Sequence, residues 1–170
     1  KISKGLLYHY FPTKRAFYVE TVRTAVTELT ARTAPDPALP PVERLRLSLV
    51  AYLEYVTQHA ATYRRMLESG LGADVEVKTI VDTLRNAVTR RVVSGLDLDA
   101  PEDILLVALK GWVGFIEAAS LAWLDAKNVS QQALLELLVT NLAASIDATG
   151  TVVQADSVAL LRGVVDAGRA

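Results

Sequence analysis

Apolar residues recur along most of the chain at intervals of three, four and seven, the spacing of one face of an α-helix. The clearest stripe follows a proline-rich segment at residues 34–41 and comprises Val42, Leu45, Leu49, Tyr52, Val56 and Tyr63. Sustained alternation of apolar and polar positions, the pattern of a half-buried strand, is missing from the sequence, and so is any internal repeat. The sequence therefore predicts an all-α protein, a helical bundle.

The stripes and their flanking residues place the individual helices. Thr13 and Ser130 are suited to cap the first and last of the long helices, because their hydroxyls can accept a hydrogen bond from a free backbone amide. The predicted long helices run from about Lys14 to Ala31, along the stripe that starts at Val42, from about Asp74 to Ser94, from Pro101 to Asp125 and from Gln131 to Asp147. A short helix from about Ala155 to Asp166 is expected in the tail.

The last two long helices are apolar on more than one side. Residues 104–124 are the most membrane-like stretch in hydropathy, but Lys110 and Glu117 interrupt it and its flanks are acidic, so we interpret it as a buried helix and expect no membrane contact. Two neighbouring helices with surplus apolar surface favour a homodimer of four packed helices. The candidate dimer-interface residues are Leu121, Trp123, Leu124, Leu134, Leu138, Asn141 and Leu142.

Composition changes this picture little. Of the 170 residues 51% are hydrophobic and 22% are charged, which is typical of a folded domain and not of a disordered chain. The absence of cysteine excludes disulfides and thiolate chemistry and fits a cytoplasmic protein. A net charge of −1 gives no overall attraction to nucleic acid, so any such affinity has to be local. The basic residues Lys1, Lys4, Lys14 and Arg15 all precede the first acidic residue.

This basic end of the chain contains the segment SKGLLYHYFPTK, residues 3–14. A short helix that starts at Ser3 would point its N-terminal amides and Lys4 at an anion, and the turn at FPT would lead into the longer helix that starts at Lys14. Helix N-termini, lysines and the polar tips of tyrosine and histidine hold DNA phosphates, and such a helix fits the major groove. The pattern indicates contact with double-stranded DNA.

The segment ISKGLLYHYFPTKRAFY resembles the end of the helix-turn-helix in the tetracycline-repressor (TetR) family of transcriptional regulators, whose recognition helix reads S-K-G-x-L-Y-x-H-F. The match covers about residues 2–18. Tyr10 occupies the family's histidine position and His9 lies one place earlier, so either side chain is a candidate for the DNA backbone. The DNA-binding residues that the resemblance implies are Ser3, Lys4, Gly5, Tyr8, His9, Tyr10 and Lys14.

The resemblance also implies a domain organisation. Residues 1–32 would form the end of a helix-turn-helix head and its connecting helix, residues 42–148 a ligand-binding and dimerisation body, and residues 149–170 a C-terminal tail. The two helices that support the recognition helix in the family are absent from this sequence, so we expect a complete protein with about forty further residues and poor operator binding by this chain alone. The implied function is a ligand-responsive regulator, a repressor of transcription.

Aromatic side chains from several predicted helices would surround one cavity in such a body. Each of them could equally be plain core, and His59 is more typical of a helix-end or core histidine than of a ligand. Glu117 needs a partner in so apolar a helix, and Lys110 lies about two turns away on a nearby face. Glu117 either forms a salt bridge within the dimer or reaches the dimer rim, or else it meets a cationic or hydroxylated inducer. The candidate pocket residues are Phe17, Tyr52, Tyr55, Val56, His59, Tyr63, Met66, Leu84, Trp112, Phe115, Ile116 and Glu117.

The sequence gives little support for an enzymatic or metal-dependent function. Two histidines far apart, no cysteine and no G-x-S-x-G leave no visible pair of nucleophile and base. Neither SGLG nor KGWVG follows a strand, as a phosphate-binding loop would, and no H-x-x-x-H or H-x-x-E spacing suggests a metal site. We predict no catalysis, no metal and no cofactor. The alternative to a regulator is a helical ligand-binding or dimerisation module that never contacts DNA.

Overall fold

The computed structural model describes residues 10–34, 36–68, 74–98, 101–126 and 128–151. Within these ranges the chain forms helices and no strand, which confirms the all-α prediction. The helices are α1 (Lys14–Arg32), α2 (Pro41–Gln58), α3 (Ala60–Glu68), α4 (Val75–Gly95), α5 (Asp103–Asp125) and α6 (Gln131–Asp147). The predicted recognition-helix positions Ser3 to His9 and the predicted tail helix lie outside the described residues.

Side-chain caps fix where three of these helices begin. The Thr13 hydroxyl accepts a hydrogen bond from the Ala16 amide at 3.0 Å, and the Ser130 hydroxyl accepts one from the Ala133 amide at 3.1 Å. Both caps satisfy amides that have no partner inside their helix, at the two positions predicted from the sequence. Asp74 caps α4 in the same way. Thr13 and Asp74 therefore set where α1 and α4 begin.

The stripe that begins at Val42 is not one helix. It ends at Gln58, and after a single turn residue, His59, the chain continues as α3. Tyr63 and Met66 of α3 pack in a second cluster of apolar side chains, to which α2 contributes Val56. No glycine or proline marks the break, so the periodicity gave no sign of it.

The main core lies among α2, α5 and α6. Leu53, Leu105, Leu109, Leu138 and Leu142 are fully buried there. Trp112 lies among them and donates its indole N–H to the Leu138 carbonyl at 2.9 Å, which satisfies the one polar atom of an otherwise apolar side chain. These three helices supply most of the larger apolar cluster.

A second cluster connects α1, α3 and α4. It contains Val19, Val22, Tyr63, Val77 and Val81, and its place against the main core is set by Val56 and Tyr52 of α2. As a result α1 packs chiefly along α4.

Helix α5 has one face in the core and another in contact with solvent. Leu105, Leu109, Trp112 and Ile116 form the buried face. By length and composition α5 is also the helix of the described chain that could cross a membrane, a test that core helices of soluble proteins pass as well. Its burial on one side agrees with its interpretation as a core helix.

Candidate ligand cavity and the surfaces around it

A cavity of about 500 Å³ lies between α2, α4 and α5. Its size falls within the range of about 300–1,000 Å³ that is typical of small-molecule sites. Its wall also includes Leu29 and Thr33, from the end of α1, and Leu142 of α6. The apolar part of the wall consists of Leu29, Val42, Leu45, Leu49, Leu84, Val88, Val92, Leu96, Trp112, Val113, Ile116 and Leu142. An apolar wall of this extent suits an apolar or amphipathic molecule.

The structure brings some of the candidate pocket residues together and separates others. Those on the cavity wall are Tyr52, Leu84, Trp112, Ile116 and Glu117. The other candidates do not line the cavity. Val56, Tyr63 and Met66 are in the second cluster, Phe115 packs against the main core, and Phe17 is 41% exposed. The rings of Tyr55 and His59 stack on each other with their centroids 4.4 Å apart. His59 ends α2 as its C-cap, with Nε2 at 3.9 Å from the Glu28 carboxylate.

Glu117 is paired inside the chain. Its carboxylate accepts two hydrogen bonds from the Arg85 guanidinium, Nε to Oε1 at 2.9 Å and Nη2 to Oε2 at 2.8 Å. Arg85 also contacts Asp82 one turn away, and the pKa of its guanidinium is raised, chiefly by the hydrogen bonds to Glu117. Lys110, the partner that sequence spacing suggested, is exposed. The bidentate pair joins α4 to α5 across the cavity wall.

A small polar network lies behind the same wall. The Tyr52 hydroxyl donates to Ser120 Oγ at 3.1 Å and shares a short hydrogen bond with the Tyr63 hydroxyl. Burial raises the pKa of Tyr52 to about 12 and raises that of Tyr63 as well. Both phenols therefore stay neutral at any physiological pH, and the network works as a fixed set of hydrogen bonds between α2, α3 and α5.

Thr33, at the end of α1, contacts both α2 and α4. Its carbonyl accepts a hydrogen bond from the Ser48 hydroxyl at 3.0 Å and from Arg91 Nη1 at 3.4 Å. The same Arg91 nitrogen lies 3.3 Å from the Thr33 hydroxyl, which donates to the Leu29 carbonyl. Thr33, Ser48 and Arg91 all line the cavity, so a molecule bound there would touch the end of α1 directly.

The opposite end of α1 is attached to the start of α4 by ion pairs. Arg15 Nη2 donates to Asp74 Oδ1 at 2.9 Å and to Glu76 at 3.3 Å, and Arg23 Nη2 donates to Glu76 Oε1 at 3.0 Å. The Arg15 contact lowers the pKa of Asp74, chiefly through its hydrogen bond. Arg15, Arg23 and Glu76 are about half exposed and only Asp74 is largely covered, so these pairs orient α1 more than they stabilise the fold.

Four arginines of the cavity are absent from the candidate pocket residues that the sequence predicted. Arg44, Arg90 and Arg91 line it together with Arg85. One of them could have been found from the sequence, since Arg91 follows Leu84 and Val88 at helical spacing and so falls on the apolar stripe of α4. Arg44 and Arg90 gave no such signal, because isolated arginines on a helix are usually solvated.

The remaining candidate residues fall into two groups. Of the DNA-binding set, the described Tyr10 and Lys14 are exposed. Of the interface set, the structure buries Leu134, Leu138 and Leu142 within one chain, where no partner could reach them, while Leu121, Trp123, Leu124 and Asn141 are half-buried. Within the described residues, no group of three or more histidine, aspartate or glutamate side chains could hold a metal ion.

The fold and the cavity define a class of protein: an all-helical body with a largely apolar cavity enclosed between its helices. The family model described as "Tetracyclin repressor-like, C-terminal domain" matches residues 41–145, so the chain belongs to this TetR family. A solved structure titled "Crystal structure of tetR-family transcriptional regulator from Streptomyces coelicolor" is similar to it, with a TM-score of 0.76 and 25% identity over 97% of this chain and 76% of that one. No curated protein matches.

Proposed function

We propose that this chain is the effector-binding and dimerisation part of a DNA-binding repressor that an apolar or amphipathic small molecule releases from its operator. Residues 42–148 would form the body, residues 1–32 the end of the DNA-binding head with its connecting helix, and residues 149–170 a tail. Membership of the TetR family, whose members are transcriptional regulators, supports this assignment over catalysis and over a module that never contacts DNA. A regulator of this kind works in the cytoplasm.

One observation carries the proposal: α4 forms a wall of the cavity and is also the helix along which α1 packs. Arg91 joins the cavity to the end of α1 at Thr33, and Asp74 and Glu76 hold its start. A molecule that binds between α2 and α4 therefore acts on both helices that fix the direction of α1.

The response follows from differential affinity. A ligand shifts the protein only toward the arrangement that it binds better. In a dimer on a palindromic operator the two recognition helices have to enter successive major grooves, about 34 Å apart. A change in the direction of α1 changes that separation, and Tyr10 and Lys14 at its start, with Ser3, Lys4, Gly5, Tyr8 and His9 before them, would move with it. The operator is released when the spacing no longer fits.

The exposed sides of α5 and α6 support a homodimer. Ile104 is 52% exposed, Val107 65% and Leu137 51%, and added methyl groups at Gly111 and Gly114 would meet open space. The exposed or half-exposed apolar and small residues of the two helices are Ile104, Val107, Gly111, Gly114, Ala118, Leu121, Ala122, Ala133, Leu137 and Ala144. Apolar surface on two adjacent helices is what a four-helix interface between copies needs.

The dimer is tested by its mass in solution. Val107→Glu and Leu137→Glu, each on this surface, are expected to shift the chain from dimer to monomer in analytical ultracentrifugation. Val75→Glu is the matched control, because Val75 is 79% exposed but lies at the start of α4. A wild type that is monomeric, or a control that dissociates as readily as the two variants, would contradict the proposed interface.

The effector site is tested by a thermal-shift screen of diverse apolar and amphipathic compounds. A ligand selective for the native state raises the melting temperature saturably. Leu45→Trp would fill the cavity and abolish the shift, whereas Leu47→Trp, on the same helix but 40% exposed and outside the cavity, would preserve it. Equal shifts in both variants would place the ligand elsewhere.

The coupling to α1 is tested by distance measurement. Since the chain has no cysteine, Thr24→Cys supplies a single spin-label site on the exposed side of α1. Pulsed electron resonance on the dimer should show that the distance between the two labels changes when ligand is added, while labels at Gln132→Cys on α6 keep theirs. An unchanged α1 distance with saturating ligand would refute the mechanism.

A further inference from the structure

The charged groups of the cavity are unequally paired. Four arginines and one glutamate line it, on a chain whose net charge is −1. Glu117 is already occupied by Arg85. Among the described residues, no carboxylate lies within ion-pairing distance of Arg44, Arg90 or Arg91. The cavity therefore carries an excess of positive charge that the protein does not neutralise.

Two of these arginines are at the same end of the cavity. A Cβ built on Gly95 would lie 3.8 Å from Pro41 Cβ, so the start of α2 adjoins the end of α4. Arg44 is one turn beyond the start of α2, and Arg91 one turn before Gly95. Both side chains are half-buried, which makes an unpaired guanidinium costlier than it is in open solvent.

In the part of the chain that the structure describes, the opposite end has no positive charge that lacks a carboxylate partner. Arg85 precedes Arg91 by six residues, about 9 Å along the helix axis, and its charge is compensated by Glu117 and Asp82. Tyr52 is on the wall at this level, where its hydroxyl is bonded to Ser120. The cavity is thus polarised along its length, with cationic groups at one end that lack a carboxylate partner among the described residues and an apolar interior around Trp112.

We propose that the effector of this cavity is an amphipathic anion, an apolar chain or ring system with one acidic group, whose charge binds Arg44 and Arg91 while its apolar part lies toward Trp112. This inference rests on the proposed function of the cavity as the effector site. A cationic inducer, which Glu117 alone suggested, is excluded because the Glu117 carboxylate is already paired with Arg85. Arg91 would exchange its weak contact with Thr33 for a charge-assisted one with the ligand.

The test compares two probes that share one aromatic body. Anilinonaphthalene sulfonate carries a negative charge, and N-phenylnaphthylamine is its uncharged analogue. The wild-type chain should bind the sulfonate about tenfold or more tightly than the neutral probe, measured by fluorescence titration. Dodecanoate should displace the sulfonate, whereas dodecanol and dodecyltrimethylammonium at the same concentration should displace it poorly.

Variants locate the charge. Arg44→Gln and Arg91→Gln should each weaken the sulfonate about tenfold and leave the neutral probe nearly unchanged. Lys78→Gln is the matched control: it removes the same charge from an exposed position of α4 outside the cavity. Arg91→Lys, which keeps the charge, should retain most of the affinity and serves if Arg91→Gln folds poorly by circular dichroism.

The outcomes separate the two proposals. Equal affinity for both probes, or arginine variants that behave like Lys78→Gln, would overturn the anionic effector and leave the cavity as an effector site for uncharged molecules. Failure of both probes and of all three dodecyl compounds to bind would overturn the effector site itself and this inference with it.

Discussion

Glu117→Gln is expected to weaken the connection between α4 and α5. The substitution keeps the size of the side chain but removes its charge and presents an amide N–H₂ to a guanidinium that can only donate. Of the paired side chains, Glu117 is 21% exposed and Arg85 40%, so the pair lies between a buried and a surface salt bridge. Hydrogen bonds to charged groups contribute about 1.5–3 kcal/mol and exposed pairs about 0–1 kcal/mol. Because Arg85 keeps Asp82, we expect a loss of about 1–2 kcal/mol.

The assay is thermal unfolding followed by circular dichroism, where this loss corresponds to a lower Tm by about 3–6 °C. Glu54→Gln makes the same chemical change at an exposed position of α2 and should lower Tm by less than about 1 °C. The double variant with Arg85→Gln should be less destabilised than the sum of the two single variants, because the pair is already broken. If Glu117→Gln and Glu54→Gln have the same Tm, the Arg85–Glu117 pair does not connect α4 to α5 and the reasoning is refuted.

Two further predictions concern the core. Leu53→Ala removes a fully buried side chain of α2 and should lower the free energy of unfolding in urea by about 2–5 kcal/mol. Leu47 is 40% exposed, so Leu47→Ala should lower it by less than about 1 kcal/mol. Similar losses in the two variants would contradict the assigned orientation of α2. Burial raises the pKa of Tyr52 to about 12 against about 10 in an unfolded chain, so its contribution is complete below pH 10 and declines between pH 10 and 12. Tyr52→Phe should flatten this alkaline loss of stability without abolishing it, since Tyr63 is shifted in the same direction; an unchanged slope between pH 9 and about 12 would count against the buried network.

The sequence predicted those parts of the fold that depend on local pattern. The helices that begin after Thr13 and Ser130 start where predicted, because capping chemistry and helical spacing both act over a few residues. The break at His59 was missed, since it arises from tertiary packing of Tyr63 and Met66 and not from a glycine or proline.

Parts of the cavity could not have been predicted. Glu117 was recognised as needing a partner, but Arg85 is 32 positions away in the chain and on another helix, whereas sequence spacing shows only partners on the same helix. Leu138 and Leu142 were assigned to an interface because α6 is apolar on two sides, and periodicity does not show which side faces the chain's own core. The half-buried interface residues and the DNA-binding residues stay predictions.

The two attachments of α1 differ in their response to salt. At its start, Arg15 and Arg23 hold it to Asp74 and Glu76 through ion pairs whose arginines are about half exposed, so that added salt screens them. At its end, Thr33 is held by Ser48 and Arg91 through hydrogen bonds to uncharged acceptors, which salt affects much less. Rising ionic strength should therefore weaken the polar contacts at the start of α1, where Val19 and Val22 stay packed in the second cluster, and leave those at its end in place. A ligand that takes Arg91 from Thr33 would then weaken the attachment that salt leaves intact.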